Sequence, residues 1–487
     1  MDFFGTISGT DTLIIGAYLL LCIIIGVYAG GRPGDAVSYF RTSGDVPWWA
    51  ASFSVVATET SLLTVISIPA VAYGGSLVFL QLVLGYICGR VLVSFLILPY
   101  YFKGILVTPY AYFEKRFGLP FRRLSAFIFL ITRLLADGIR LFAAAIPLKM
   151  ITGLDYQYAI AIIAFLTLAY TYWGGLRSVI WIDVLQLFVY TLCAGLIIFF
   201  AWNAVDVGVM AQLTAGNKLT FFQMPVSFVD IFVTPYNFVG AFVGGAFLSM
   251  ASHGTDHIIV QRLLACGDLK NARKALISSG FFVFIQFLIF LIVGLLVYVY
   301  YSGASFIQLG LNNPDEILIH FVVNVLPTGA TGLFIAALFA AAMSTLSSSL
   351  SALSSSTLYD LFPKLSTRGD ALMISRFMMV VWTLIFIVFA SLFTDTNNPI
   401  VELGLSIAGF TYGALLGAFL MGFYSNISTE SALSTLILTV VIMTGVILYS
   451  DLAWPWYTCT GLSVYALLSW MLHLSIPAKR KPVIHED

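Results

Sequence analysis

The chain has 487 residues, of which 60% are hydrophobic and only 9% charged, and its 23 basic residues balance its 23 acidic ones. A soluble domain carries about 25% charged residues, so lipid must be the main solvent of this surface. A nucleic-acid partner would call for a basic face, and a net charge of zero offers none.

A spanning helix needs about 20 apolar residues. On that rule helices are predicted near 10–30, 46–72, 76–102, 122–150, 156–173, 179–202, 233–255, 274–301, 317–359, 371–394, 399–423, 430–450 and 454–475. That makes an all-α integral membrane protein of about thirteen spans. The stretch 317–359 is too long for one straight span and is predicted to include a short helix outside the membrane. The start Met1-Asp2-Phe3-Phe4 lacks the basic region of a signal peptide, so the first apolar run reads as a retained helix. Cys22, Cys88, Cys193, Cys266 and Cys459 form no CxxC and read as small hydrophobes.

Thirteen spans place the two termini on opposite sides. With the N-terminus outside, Arg32, Arg41, Lys103, Lys115, Arg116, Arg122, Arg123, Arg177, Arg262, Lys270, Arg273, Lys274, Lys364, Arg368 and the tail Lys479-Arg480-Lys481 all lie inside. The outer side holds Lys218 and Lys149 and little else that is basic. The expected location is a cell membrane, of bacterial inner-membrane type, with a cytoplasmic tail at 476–487 and the sequon at Asn426 inside.

A charge at bilayer depth is costly and usually faces a cavity or a partner. The predicted spans hold Glu59, Arg90, Arg133, Asp137, Arg140, Asp183 and Glu402. Arg133, Asp137 and Arg140 share one helix face, either as an internal salt-bridge stripe or as part of a site. Thr58-Glu59-Thr60-Ser61 puts four polar side chains in a row inside an apolar span. Such a run fits a helix unwound at mid-membrane, whose freed carbonyls bind ions and solute, or a polar patch satisfied by neighbouring helices. Ser344, Ser347 and Ser348 lie on one face with Thr345 at its border. Clustered hydroxyls suit a hard cation such as sodium, and small residues equally suit close helix packing. Gly174-Gly175 leads into a helix whose early turns hold Asp183, a position favourable for an acid in any case.

Five stretches together resemble the sodium:solute symporter family, most closely its sialic acid branch. They are Ser54-Val55-Val56-Ala57-Thr58 through Ser67-Ile68-Pro69-Ala70, Tyr170-Thr171-Tyr172-Trp173-Gly174-Gly175, and Val179-Ile180-Trp181-Ile182-Asp183-Val184-Leu185-Gln186. The others are Asp256 through Val260-Gln261-Arg262, and Phe339-Ala340-Ala341-Ala342 through Ser349. The resemblance implies a LeuT-type 5+5 inverted repeat: a leading helix at 10–30, repeats at 46–202 and 233–423, and two further helices within 430–475. The Gly-rich seventh span (Gly240, Gly244, Gly245) is expected to be a second broken helix.

The resemblance further implies a main sodium site at Ala57, Thr60, Ala341, Ser344 and Thr345, and a second at Asp183, Ser344, Ser347 and Ser348. Candidate solute contacts are Glu59, Ser61, Thr64, Gln81, Asp137 and Arg140. Glu59 departs from the threonine of the sialic acid branch, and the fourth-span arginine that grips a carboxylate there aligns with Ala136 or Asp137. Glu59 therefore needs a partner, either Arg140 or a cationic or hydroxyl-rich solute. The expected function is sodium-coupled symport of a sugar, sugar acid, amino acid or carboxylate by alternating access, with no oligomer required. The rivals are proton coupling centred on Glu59 and a passive channel. No HExxH or GxSxG is present, so no enzyme is expected.

Overall fold

The computed structural model describes residues 8–475 apart from 32, 43, 104–106, 206–207, 394–399 and 425–426; at 150–152, 400–410, 424 and 473–475 it describes the helical backbone alone. Arg32, Asn426 and the tail at 476–487 fall outside the described residues, as does the side chain of Glu402.

Helices account for every long element among the described residues. Their positions follow the apolar runs, and their ends follow local chemistry. Ser8 and Asp11 form a reciprocal cap on Gly9–Gly30, with Asp11 N–H donating to Ser8 Oγ at 3.1 Å and Ser8 N–H to the Asp11 carboxylate at 2.9 Å. The same carboxylate accepts Gly329 and Gly332 N–H, each at 2.7 Å, and so ties the first helix to the start of a later one. That later element, Ala330–Ser356, is the serine helix. Nearly all of it is buried, and its Ala and Ser side chains let neighbouring helices approach closely. The predicted stretch 317–359 divides as expected, into Glu316–Val325 and the serine helix.

The span predicted at 46–72 is two helices, Trp48–Glu59 and Leu62–Gly74, bent by 66° at their junction. This is the first broken pair. The second is Phe238–Gly254 followed by His257–Leu264. Its break lies at Thr255 and Asp256, beyond the glycines expected to mark it. Those glycines serve packing: a Cβ on Gly244 would collide with Pro455, and one on Gly245 with the Leu82 carbonyl.

Tyr156–Ala204 runs for 49 residues and spans both helices predicted there. At about 1.5 Å per residue it is more than twice the roughly 30 Å of hydrocarbon in a bilayer. Its one non-helical residue is Gly175, at φ 58° and ψ −153°. The carbonyl of Tyr39 presses against the space a Cβ would need there.

Seven helices among the described residues are long and apolar enough to cross a membrane, or eight with the bent first pair taken as one span. Of the other predicted spans, two are fused in Tyr156–Ala204, Ile400–Tyr424 and Tyr457–Ser475 are helices of 25 and 19 residues, and two are short or charged. Phe238–Gly254 has 17 residues, and Leu119–Thr152 carries Arg122, Arg123, Arg133, Asp137, Arg140 and Lys149. The chain is a multi-pass membrane protein. Lys218, expected on the outer side, is buried within the protein: its ammonium donates to the Tyr73 carbonyl at 2.6 Å and sits 4.2 Å from the Tyr298 ring centre.

Gly175→Ala is expected to lower the unfolding temperature of the purified protein, since this backbone region costs a non-glycine residue about 1–3 kcal/mol before the Tyr39 collision is counted. Gly195→Ala, on the same helix with open space around it, is expected to leave stability unchanged or raised.

Candidate functional site

At the first break the last backbone hydrogen bond of the incoming helix runs from Thr60 N–H to the Val56 carbonyl, at 3.0 Å. The carbonyls from Ala57 to Thr60 lie beyond it and accept no backbone hydrogen bond among the described residues. The hydroxyls here close the chain ends. Thr60 Oγ1 donates to the Val56 carbonyl at 2.8 Å and to Gln286 at 2.9 Å, and Thr58 Oγ1 to the Ser54 carbonyl at 2.7 Å. Ser61 starts the outgoing helix and makes no side-chain cap.

The serine helix lies directly against this break. Thr58 Oγ1 meets Ser348 Oγ at 3.2 Å, one turn from Ser344 and Thr345. Ala341, Ser344, Ser347 and Ser348 are fully buried and Thr345 nearly so. Ser344 Oγ donates to Asp183 at 2.7 Å, so the long kinked helix brings its acid to the serines as expected. Ser347 and Ser348 donate to the Ser344 carbonyl, at 3.0 and 2.7 Å.

Asp183 already has a cation beside it. Arg262, placed in an inside loop by the charge pattern, is fully buried and pairs with Asp183 at 2.9 Å. It also donates to Ser54 at 2.7 Å, to the Ile258 carbonyl at 2.8 Å and to Ser348. One guanidinium thus joins both broken pairs, the long helix and the serine helix. It sits on the short helix His257–Leu264, directly after the second break. Only a break at Thr255 could do this, and the glycine pattern concealed that break.

Next to the first break is a cavity of about 110 Å³, lined from one broken pair by Glu59, Ser61 and Thr64 and from the other by Ser249, Ser252 and His253. Arg133, Arg140 and Tyr412 complete its polar wall, and Tyr86, Phe79 and Phe287 its aromatic wall. Solute pockets usually start near 300 Å³, so this form of the cavity is contracted.

The acids and bases around it are matched. Glu59 pairs with the fully buried Arg90, not with Arg140, and Arg90 also donates to Ser279 at 2.7 Å. Arg140 pairs with Asp137 at 2.7 Å, and Arg133 stands 3.6 Å from the same carboxylate, so the predicted stripe is an internal salt bridge. Arg133 pairs in addition with Asp256, whose carboxylate accepts the Tyr412 hydroxyl at 2.6 Å. Ser349 caps the other Asp137 oxygen, which leaves Asp137 behind Arg140 and off the cavity wall.

Gln81 differs from expectation. Its amide nitrogen donates to the Val78 and Tyr236 carbonyls at 3.1 and 3.0 Å, and its oxygen accepts Gln223 N–H at 3.1 Å. All its polarity is spent on loop backbone, and it does not line the cavity. The sequence reading noted Arg90 as a charge within a span and Asp256 and Arg262 within a family-like stretch but gave none of them a place in the site, and it missed His253 and Tyr412. An intramembrane histidine within a Gly-rich span was the available signal for His253.

Asp183→Asn is expected to destabilise the fold by about 3–5 kcal/mol, because it strands the Arg262 charge in a dry interior. The double variant with Arg262→Met should recover much of that loss, and equilibrium or thermal unfolding of the two variants checks it.

The model of the family described as "Sodium:solute symporter family" matches residues 39–439. Among curated proteins the chain is 28% identical to the sodium/sialic acid symporter NanT of Aliivibrio fischeri, covering 96% of this chain and 93% of that one. It is 29% identical to the sodium/sialic acid symporter SiaT of Proteus mirabilis (96% and 95%) and 27% identical to the human sodium/iodide cotransporter (86% and 66%). Among solved structures, a Na+-coupled sialic acid symporter in a substrate-bound outward-open state superposes with a TM-score of 0.86 at 27% identity, over 98% of this chain and 100% of that one. Mhp1, a nucleobase-cation-symport-1 family transporter, superposes at 0.58 with 15% identity (93% and 97%), a likeness of fold alone. With a family model that spans most of its length, the chain belongs to the sodium:solute symporter family.

Proposed function

We propose that sodium binds between the first break and the serine helix, on the carbonyls of Ala57, Thr60 and Ala341 and the hydroxyls of Ser344 and Thr345, and that the solute occupies the adjoining cavity. The observation that carries this reading is the set of freed carbonyls beyond Val56, placed against a fully buried row of hydroxyls. Sodium is a hard cation and takes several oxygens. Its binding would tie the broken helix to the serine helix and complete the wall next to Ser61 and Thr64. Solute and ion must then tighten each other by the same factor.

A second sodium at Asp183, Ser344, Ser347 and Ser348 requires Arg262 to yield, since its guanidinium now holds both Asp183 and Ser348. The two breaks fall in the first helix of each proposed repeat, 46–202 and 233–423, which supports an inverted-repeat core of LeuT type. With the leading helix at 10–30 and two helices within 430–475, this reading gives thirteen spans and an outside N-terminus. A bacterial inner membrane fits the two sialic acid symporters to which the chain is similar.

Arg90 weighs against proton coupling at Glu59, because it supplies the carboxylate's countercharge without a proton. A passive channel would need a continuous lined pore, and the cavity of about 110 Å³ is a local site walled in part by the two broken helices.

The test is thermal unfolding of the purified protein in sodium against choline. Sodium at about 100 times its dissociation constant adds about 2.7 kcal/mol, and the stabilisation should vanish in Ser344→Ala and in Thr345→Ala. A wild-type protein indifferent to sodium would sink the reading.

A further inference from the structure

Besides the solute cavity the structure has an open groove of about 810 Å³, walled by Trp48, Ile277 and Phe281 and rimmed by Lys270, Arg273 and Lys274. It runs between the incoming half of the first broken pair, Trp48–Glu59, and the helix Leu269–Tyr300. Ser52 and Ser278 join those two helices through their hydroxyls, 2.9 Å apart.

Polarity is divided along one face of the second helix. Lys270, Lys274, Ile277, Phe281 and Ile285 recur every three to four residues and so share that face. The lysines are exposed at its start, and Phe281 and Ile285 are 55% and 51% exposed further along. From Lys274 to Ile285 the helix rises about 16 Å at about 1.5 Å per residue. Half of a bilayer's hydrocarbon core is about 15 Å. The face therefore has the layout of one leaflet, charged at one end and apolar for the depth of an acyl chain.

The cations on the rim are unspent. Among the described residues the ammonium groups of Lys270 and Lys274 have no ion pair and no hydrogen bond. Arg273 donates its Nε–H to the Ser94 carbonyl at 2.9 Å and lies 4.9 Å from the Phe95 ring centre, which holds the guanidinium in place. Asp268, the acid at this helix end, is occupied: its carboxylate accepts Asn271 N–H at 2.8 Å and Asn271 Nδ2 at 2.6 Å. Ser278 turns its hydroxyl back to the Lys274 carbonyl at 2.6 Å. Three positive charges above an apolar floor complement a molecule with an anionic head and an apolar tail. A free phosphate would leave the floor bare, and a zwitterionic lipid would bring its own cation among these three. We propose that the groove is a binding site for an anionic phospholipid of the surrounding bilayer, with its phosphate on Lys270, Arg273 and Lys274 and an acyl chain along Ile277, Phe281 and Ile285. Trp48 stands at headgroup depth, where indole rings collect. The lipid thus holds the helix that carries the freed carbonyls against Leu269–Tyr300.

The experiment is native mass spectrometry of the delipidated full-length protein, titrated with phosphatidylglycerol or phosphatidylcholine of the same acyl chains. A cation near an anionic lipid contributes about fivefold in affinity, equivalent to about 1 kcal/mol. Phosphatidylglycerol should therefore bind about 10- to 100-fold more tightly, and Lys270→Gln with Lys274→Gln should remove most of that preference. Lys115→Gln with Lys364→Gln removes the same charge elsewhere and should leave the preference intact. Ile277→Trp, which fills the floor and keeps the cations, should weaken phosphatidylglycerol binding, and an equal concentration of inorganic phosphate should not displace the lipid. Equal affinity for the two lipids, equal losses in the two double variants, full binding in Ile277→Trp, or displacement by phosphate would each overturn the proposal.

Discussion

A charge in the middle of a bilayer has to bring its counter-charge with it, and this molecule is organised around that requirement. Transfer of one unpaired ion into a dry interior costs several kcal/mol even after relaxation. The carboxylates of Glu59, Asp137, Asp183 and Asp256 each meet a guanidinium, and three of the four guanidiniums are held on helices other than their partner's. The pairs are thus also long-range clamps. Asp183 and Arg262, both fully buried, join the long kinked helix to the short helix after the second break. Ser54, Ser344 and Ser348 fill the remaining hydrogen-bond positions around them. Without those hydroxyls the pair would lose its solvation, which gives the serines a structural task of their own.

Broken helices do the complementary task of presenting polar backbone where water is scarce. The first break was legible because four consecutive polar residues, Thr58 to Ser61, cannot all lie against lipid. The second was not. Gly240, Gly244 and Gly245 drew the eye, yet they let Pro455 and the Leu82 carbonyl approach, and the chain stays helical through them. The actual break is signalled by Asp256, whose side chain caps the next helix by accepting Ile258 N–H at 2.9 Å. A cap motif inside an apolar run is easily read as a loop residue.

The same confusion of sequence neighbourhood with depth explains the other differences. Arg262 follows an apolar run and precedes a basic loop, so linear reading sends it to the surface. Gln81 opens a span, where a polar side chain suggests a cavity, but the loop that carries Gln223 and Tyr236 folds over it and consumes its amide. By contrast the meeting of Asp183 with Ser344 was correctly anticipated through the family resemblance. The Gly174-Gly175 turn was visible as a break because only glycine tolerates the backbone angles found there. Pairing across distant helices, as between Glu59 and Arg90, leaves no local trace in one sequence.

The matched charges around the cavity have an electrical consequence. Three acids and three guanidiniums face or back it, and their sum is zero. When a sodium-coupled symporter of this construction turns its cavity from one side to the other, its own side chains carry no net charge through the field. Current per cycle then counts only the sodium ions and the charge of the solute. Each elementary charge moved is worth about 2.3 kcal/mol per 100 mV, so the voltage dependence of that step reads the summed charge of the bound sodium and solute.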